Sequence, residues 1–217
     1  MVVELDPDIN IALSRVRQSL IDNKASRQGD SQPKRRQLTW FTKRNLGHDA
    51  ESFARNYNAR QIILEPVQQY ANILKNKFAN NSRITVLNIG LGEKTATVNI
   101  DVKGEATNVL EKGGNTTVKL IRSIDFFTNI GVGSFDIDLL TMDCEGCELQ
   151  VLESLLENNM INYFKNIQFE SHSHVMGFKR NDWQRRYCVI QEYMSRSHRL
   201  TFQYKHVWEN WRRLDLK

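Results

Sequence analysis

The chain has 217 residues, 40% of them hydrophobic and 25% charged, with 11 glycines and 3 prolines. That length fits one domain with a real core and excludes collagen-like and low-complexity chains. No stretch approaches the roughly 18 apolar residues of a membrane span. The start, MVVELDPDINIALSRVRQ, lacks the apolar core of a secretion signal, so a cytoplasmic location is expected. The net charge of +5 permits a phosphate-bearing partner without demanding one. The basic run Lys34-Arg35-Arg36, beside Lys43-Arg44, reads as a solvated loop, because no aromatic residues for base stacking interleave it; no nucleic-acid partner is expected. Three cysteines, two of them in one CxxC, imply no disulfide framework.

In chain order, Asp6-Pro7 reads as a cap followed by a first-turn proline, and Ile9, Leu13, Val16 and Leu20 recur at helical spacing, predicting a helix over residues 7–22. Residues 23–37 are polar and read as a linker. Leu38–Phe41 is the first strand candidate. Asp49–Tyr57 follows as a helix, Gln61–Glu65 as a strand stopped by Pro66, and Val67, Tyr70, Leu74 and Phe78 mark the next helix. Ile84–Ile89 is a third strand. Thr95–Val102 and Thr116–Ile121 add strand character, with turns at Gly104 and Gly113-Gly114. Asp136–Asp143 is a nearly continuous apolar strand of the kind buried on both faces of a parallel sheet. A helix with Leu149, Leu152, Leu155 and Leu156 inward comes next, then the strand Asn166–Glu170 and a helix over 182–196. Leu200–Tyr204 and Val207–Arg212 close the chain as an antiparallel pair. The alternation predicts an α/β domain over residues 38–217 with a mostly parallel sheet, preceded by the helix and linker of residues 1–37.

Ligands of such sheets bind outside the carboxyl ends of the strands. The polar residues there are Thr42–Gly47, Glu65, Asn88, Asp143, Glu145, Glu170, His172 and His174. Gly90-Leu91-Gly92 and Gly131-Val132-Gly133 lack a following helix and read as turns. Gly47 lies between a strand and a helix, and Glu65 ends the next strand 18 residues later. That spacing approximates the layout in which a strand-ending acid hydrogen-bonds ribose hydroxyls.

The segment Met142-Asp143-Cys144-Glu145-Gly146-Cys147-Glu148-Leu149 clusters three acids at a strand-to-helix turn. Within LLTMDCEGCELQVLE the chain resembles the FkbM family of S-adenosylmethionine-dependent methyltransferases, whose fourth strand ends in a K-[IM]-D-[VI]-E-G-x-E signature. ILEPVQQYANILKNKF (63–78), NSRITVLNIGLGEKTATVNI (81–100), VKLIRSIDFF (118–127) and NIQFESHSH (166–174) extend the resemblance over residues 38–206. It implies a Rossmann-like class I methyltransferase fold with a seven-stranded, mostly parallel sheet, a C-terminal antiparallel strand pair and an N-terminal helix. It also implies S-adenosyl-L-methionine as cofactor and a small-molecule or sugar hydroxyl as acceptor. The first loop departs from the family's D-x-G-x-x-x-G: Gly47 remains, while Asn45 stands where a second glycine is expected and Lys43 near the expected acid.

On this reading Asn45, Gly47, Glu65, Asn88 and Asp143 face the cofactor, and Asp143, Glu145 and His172 are the candidates for removing the acceptor's proton. Each has a plainer alternative: a helix-capping acid for Asp143, a first-turn partner of the helix dipole for Glu145, a loop histidine for His172. Glu148 reads as a partner of the helix dipole. Cys144 and Cys147 read as small buried residues rather than as a redox pair or half a zinc site. No metal is assigned, although the hard oxygen ligands of Asp143 and Glu170 leave a divalent ion open. The altered first loop keeps a non-catalytic binding or scaffold protein open as a second class. A basic nucleic-acid binder using residues 34–44 is a third. The acceptor's identity and the oligomeric state are not specified by the sequence.

Overall fold

A computed structural model describes residues 7–21, 36–41, 47–102, 113–172, 180–204 and 208–216. Asn45, Lys43, His174 and the expected turn at Gly104 lie outside these residues. Helix α1 spans Pro7–Ile21 and strand β1 Arg36–Phe41, with α2 at His48–Tyr57, β2 at Arg60–Leu64, α3 at Gln68–Lys77 and β3 at Ile84–Leu87. Then come β4 (Gly90–Gly92), β5 (Ala96–Ile100), β6 (Thr116–Arg122), α4 (Ser123–Asn129), β7 (Leu139–Asp143) and α5 (Glu148–Glu157). Strand β8 (Asn166–Glu170), α6 (Arg180–Ser195), β9 (His198–Tyr204) and β10 (Trp208–Arg213) complete the described elements.

Seven of the strands form one sheet in the order β3-β2-β1-β7-β8-β10-β9. The first five run parallel, and β10 runs antiparallel to both of its neighbours. Only three residues separate β9 from β10, too few for a parallel crossover, so their antiparallel pairing follows from chain length. From β1 the chain builds toward β3 on one side and resumes at β7 on the other. The carboxyl ends of β1 and β7 thus flank a topological switch point, where an open α/β sheet leaves a crevice for a ligand.

A second sheet, β4-β6-β5, was not foreseen as a separate layer. Gly90-Leu91-Gly92, expected to be a turn, is the strand β4, parallel to β6. Glycines carry no side-chain alternation, so the period-2 signal was missing there. The hydroxyl of Ser123 donates to Gly92 O at 3.0 Å, tying the start of α4 to this strand.

Among the described residues the apolar core falls into three clusters, one of which packs α1, α4, α5 and α6 against the main sheet. That cluster takes Leu13, Val16 and Leu20 from α1, Phe126 and Phe127 from α4, Leu140 and Met142 from β7, and Leu149, Leu152 and Leu155 from α5. Leu13, Val16 and Leu20 sit three and four residues apart, a stripe along one face of α1. Fully burying each such side chain stabilises the fold by roughly 1.5–3 kcal/mol. In the same cluster, Trp183 stacks on Tyr187 with ring centroids 4.8 Å apart, and the Tyr187 hydroxyl donates to the buried Glu209 at 2.7 Å, fastening α6 to β10. Among the described residues no helix is long and apolar enough to cross a membrane.

Candidate active site

Strand register brings the predicted rim together. Leu64 pairs with Leu87, Trp40 with Leu64, Phe41 with Asp143 and Met142 with Phe169. One residue further along each strand, Asn88, Glu65, Asp143 and Glu170 therefore stand at one level across the carboxyl edge of the sheet. Residues that are far apart in sequence thus share one edge because their strands end in register.

Glu65 is 2% exposed, and its Oε1 accepts a hydrogen bond from Val67 N at 2.8 Å. Burial pushes its carboxyl up to about 8, against the smaller opposing effect of that backbone bond. The amide of Asn88 donates to Glu65 O and Pro66 O, both at 2.9 Å, and so straps the turn after β2. Gly47 precedes α2 with φ of +79°, a conformation that disfavours side chains. A Cβ there would also come within 2.8 Å of the Phe78 ring and 2.9 Å of Leu74. Gly47 thus admits the close approach of α3 to the start of α2.

The turn from β7 into α5 carries the densest chemistry. Asp143 is the last residue of β7. Glu145 and Gly146 follow with φ of +52° and +109°, and Glu148 opens α5. Two successive left-handed residues reverse the chain within three positions. Glycine takes the second at no steric cost, whereas Glu145 holds an uncommon backbone state, as residues at functional turns do.

Glu148 is more than a partner of the helix dipole. Its Oε1 accepts from Cys144 N at 2.7 Å and its Oε2 from Gly146 N at 2.9 Å, so one buried carboxylate satisfies two amides of the turn. The same Oε1 lies 2.9 Å from His172 Nδ1. With both Glu148 oxygens already accepting, Nδ1 is the donor. Nε2 then faces Glu145 at 3.4 Å, Asp143 at 3.5 Å and Glu170 at 3.7 Å. Local sequence could not reveal this junction, because it forms only when the end of β8 lies beside the start of α5.

Burial, then the charges of Glu170, Glu148 and Glu145, hold the Asp143 carboxyl up to about 7, with His172 opposing them. For His172, burial disfavours the cation, but hydrogen bonds to Glu145 and Glu148 and their charges outweigh it and raise the group to about 11. Asp143, Glu170 and His172 each offer one ligand atom, and these atoms lie within 4.8 Å of one another.

The cysteines of the turn depart from the expectation of two separate small side chains. Cys144 and Cys147 form a disulfide across the left-handed pair, and Cys188 is free and exposed. The bridge spans the residues that present Glu145, so it closes the same turn that Glu148 clasps from below.

The FkbM methyltransferase domain model matches residues 44–209. The chain belongs to the FkbM methyltransferase domain family. The match spans the sheet from the loop after β1 into β10 and takes in the whole rim. As an FkbM methyltransferase it uses S-adenosylmethionine. Similarity to solved structures lies in the fold. A fibrillarin/Nop5p complex superposes with a TM-score of 0.50 at 8% identity, covering 92% of this chain and 83% of that one. A putative caffeoyl-CoA O-methyltransferase from Staphylococcus aureus gives 0.46 at 11% identity, covering 98% and 86%. The N-methyltransferase NodS from Bradyrhizobium japonicum, solved with S-adenosyl-L-homocysteine, gives 0.41 at 9% identity, covering 96% and 87%. No curated protein sequence matches the chain.

Proposed function

We propose that this FkbM methyltransferase moves the methyl group of S-adenosylmethionine to a hydroxyl oxygen of a sugar or another small molecule. The observation that carries this reading is the in-register rim, with Glu65 and Asn88 on one side of the switch point and Asp143, Glu145, Glu170 and His172 on the other. On this assignment the Glu65 carboxylate accepts from the ribose hydroxyls, with Asn88 holding its turn and Gly47 shaping the loop beside it. Asn45 would complete the cofactor side. Asp143 would face the sulfonium.

The acceptor oxygen attacks the methyl carbon in line with the C–S bond. The bond breaks with its electron pair on sulfur, and the hydroxyl proton leaves to a carboxylate. Holding the two reactants in line is the larger part of the catalysis. Asp143, pushed up to about 7, suits the proton acceptor, since a base works best with a pKa near the working pH, and Glu145 faces the same His172 Nε2 beside it. His172, raised to about 11, is poorly suited to the base role its sequence position suggested. It serves instead to orient the two acids.

The test is transfer of a radiolabelled methyl group from S-adenosylmethionine to a panel of sugars, alcohols and phenols. The expected product is a methyl ether resistant to mild base. Replacing Asp143 by Asn together with Glu145 by Gln should lower kcat by about 10²–10⁴-fold. Label recovered on nitrogen or as a base-labile ester would overturn the hydroxyl assignment.

A further inference from the structure

The geometry points to a divalent-cation site formed by Asp143, Glu170 and His172, at the carboxyl edge of the main sheet beside the β7–α5 turn. Its location rests on geometry alone, and its use in catalysis rests on the methyl-transfer reading above.

The first argument is separation. The three ligand atoms lie within 4.8 Å of one another. Donors sharing an ion at about 2.0–2.2 Å stand roughly 3–4 Å apart, so small side-chain adjustments bring all three onto one centre. The second is the presentation of the imidazole. Glu148 holds Nδ1 at 2.9 Å, which fixes the ring plane and turns Nε2 toward Asp143 and Glu170. A histidine whose one N–H is anchored on a carboxylate while the other nitrogen faces a common point is the arrangement that orients ligands in metal sites. Glu148 is itself clamped by two backbone amides, so the anchor is rigid.

The third is origin. Asp143 and Glu170 end two adjacent parallel strands one step beyond the Met142–Phe169 pair, and His172 follows two residues on. All three are under one-tenth exposed. Ligands set on strand ends hold their geometry better than ligands on a loop. Two carboxylates with one imidazole suit an ion of intermediate hardness such as Mn²⁺.

An ion there takes the position that a proton would occupy on Nε2. It holds the acceptor oxygen and lowers the pKa of its hydroxyl. Of the two carboxylates left outside the ligand set, Glu148 is occupied by the turn amides and His172 Nδ1, and Glu145 takes the hydroxyl proton. The oxygen then forms its bond to the methyl carbon, and the C–S electron pair stays on sulfur.

The experiment uses the untagged full-length chain, stripped with EDTA and titrated with Mn²⁺ alone. The free ion is read by electron paramagnetic resonance. Mn²⁺ is chosen because the thiols of reduced Cys144 and Cys147 favour Zn²⁺ over it. One Mn²⁺ per chain should bind at submillimolar concentration. Glu170→Gln should weaken binding at least tenfold, and Glu148→Gln, which touches the ion only through His172, by about 10–100-fold. Circular dichroism and thermal unfolding check that each variant folds, and Asp143→Asn serves if Glu170→Gln does not. Absence of binding at millimolar Mn²⁺, or undiminished binding in the folded ligand variants, overturns the site. Titrating the same samples with S-adenosylhomocysteine separates the two readings. Cofactor binding without Mn²⁺ binding sinks the ion site and leaves methyl transfer standing. The reverse pattern retains the ion site and removes the reading of its use.

Discussion

Glu65 is a carboxyl group that folding removes from water, and its consequences are visible in pH. It ionises near 4.5 in a model peptide and at about 8 in the folded chain, because burial outweighs the hydrogen bond from Val67. The folded state therefore holds this proton more tightly than the unfolded state. The stabilisation it gives is complete below about 4.5 and is lost as pH rises through about 8. Without cofactor, the melting temperature should fall between pH 5 and pH 8, by a stability slope of at most about 1.4 kcal/mol per pH unit from this group. Glu65→Gln keeps the shape and cannot ionise, so thermal scans across that range should lose this part of the slope. An unchanged slope would remove Glu65 as its source. The same substitution should weaken S-adenosylhomocysteine binding about tenfold or more at pH 9, where the wild-type carboxylate is charged, since a hydrogen bond to a charged group contributes roughly 1.5–3 kcal/mol. Glu148 matters for a different reason. Glu148→Gln puts an amide NH₂ among three donors, Cys144 N, Gly146 N and His172 Nδ1. Urea unfolding should show a loss of about 2–4 kcal/mol.

At the scale of elements, the junctions of strand and helix decide the site. Gly47→Ala would place a Cβ at positive φ and against Phe78 and Leu74 where α2 meets α3. A stability loss of about 1–3 kcal/mol is expected in denaturant titrations; a neutral outcome would mean that α3 yields without cost. At the β7–α5 junction, Cys144 and Cys147 are joined. Alkylation of the native chain without reductant should therefore modify Cys188 alone, as read by peptide mass spectrometry. Modification of all three cysteines would contradict the bridge. These junctions also divide what the sequence made legible from what it did not. The alternation of apolar runs with helical stripes was readable, because β7 is buried on both faces and α1 shows Leu13, Val16 and Leu20 at helical spacing. Strand ends could be read to within a few residues, which sufficed to put Glu65, Asn88, Asp143 and Glu170 on one edge. The seven-residue α4 was not assigned, since SIDFFTN is too short for a helical period to stand out. The Glu148–His172 contact joins residues 24 positions apart. No local pattern encodes it, and only the pairing of β7 with β8 brings it about.

For the whole molecule, the strand order places the β1–β7 switch point in the middle of the sheet, with acids on both sides of it. The family match begins just after β1 and runs into β10, so it takes in Gly47, Glu65, Asn88 and Asp143. On the proposed assignment Gly47, Glu65, Asn88 and Asp143 frame a working S-adenosylmethionine site around a divergent first loop. Calorimetric titration of the full-length chain with S-adenosylmethionine tests this most directly. Saturable binding of one cofactor per chain is expected, weakened about tenfold or more by Glu65→Ala. Heat that stays at the level of dilution up to millimolar cofactor, from a chain shown to be folded, would contradict it.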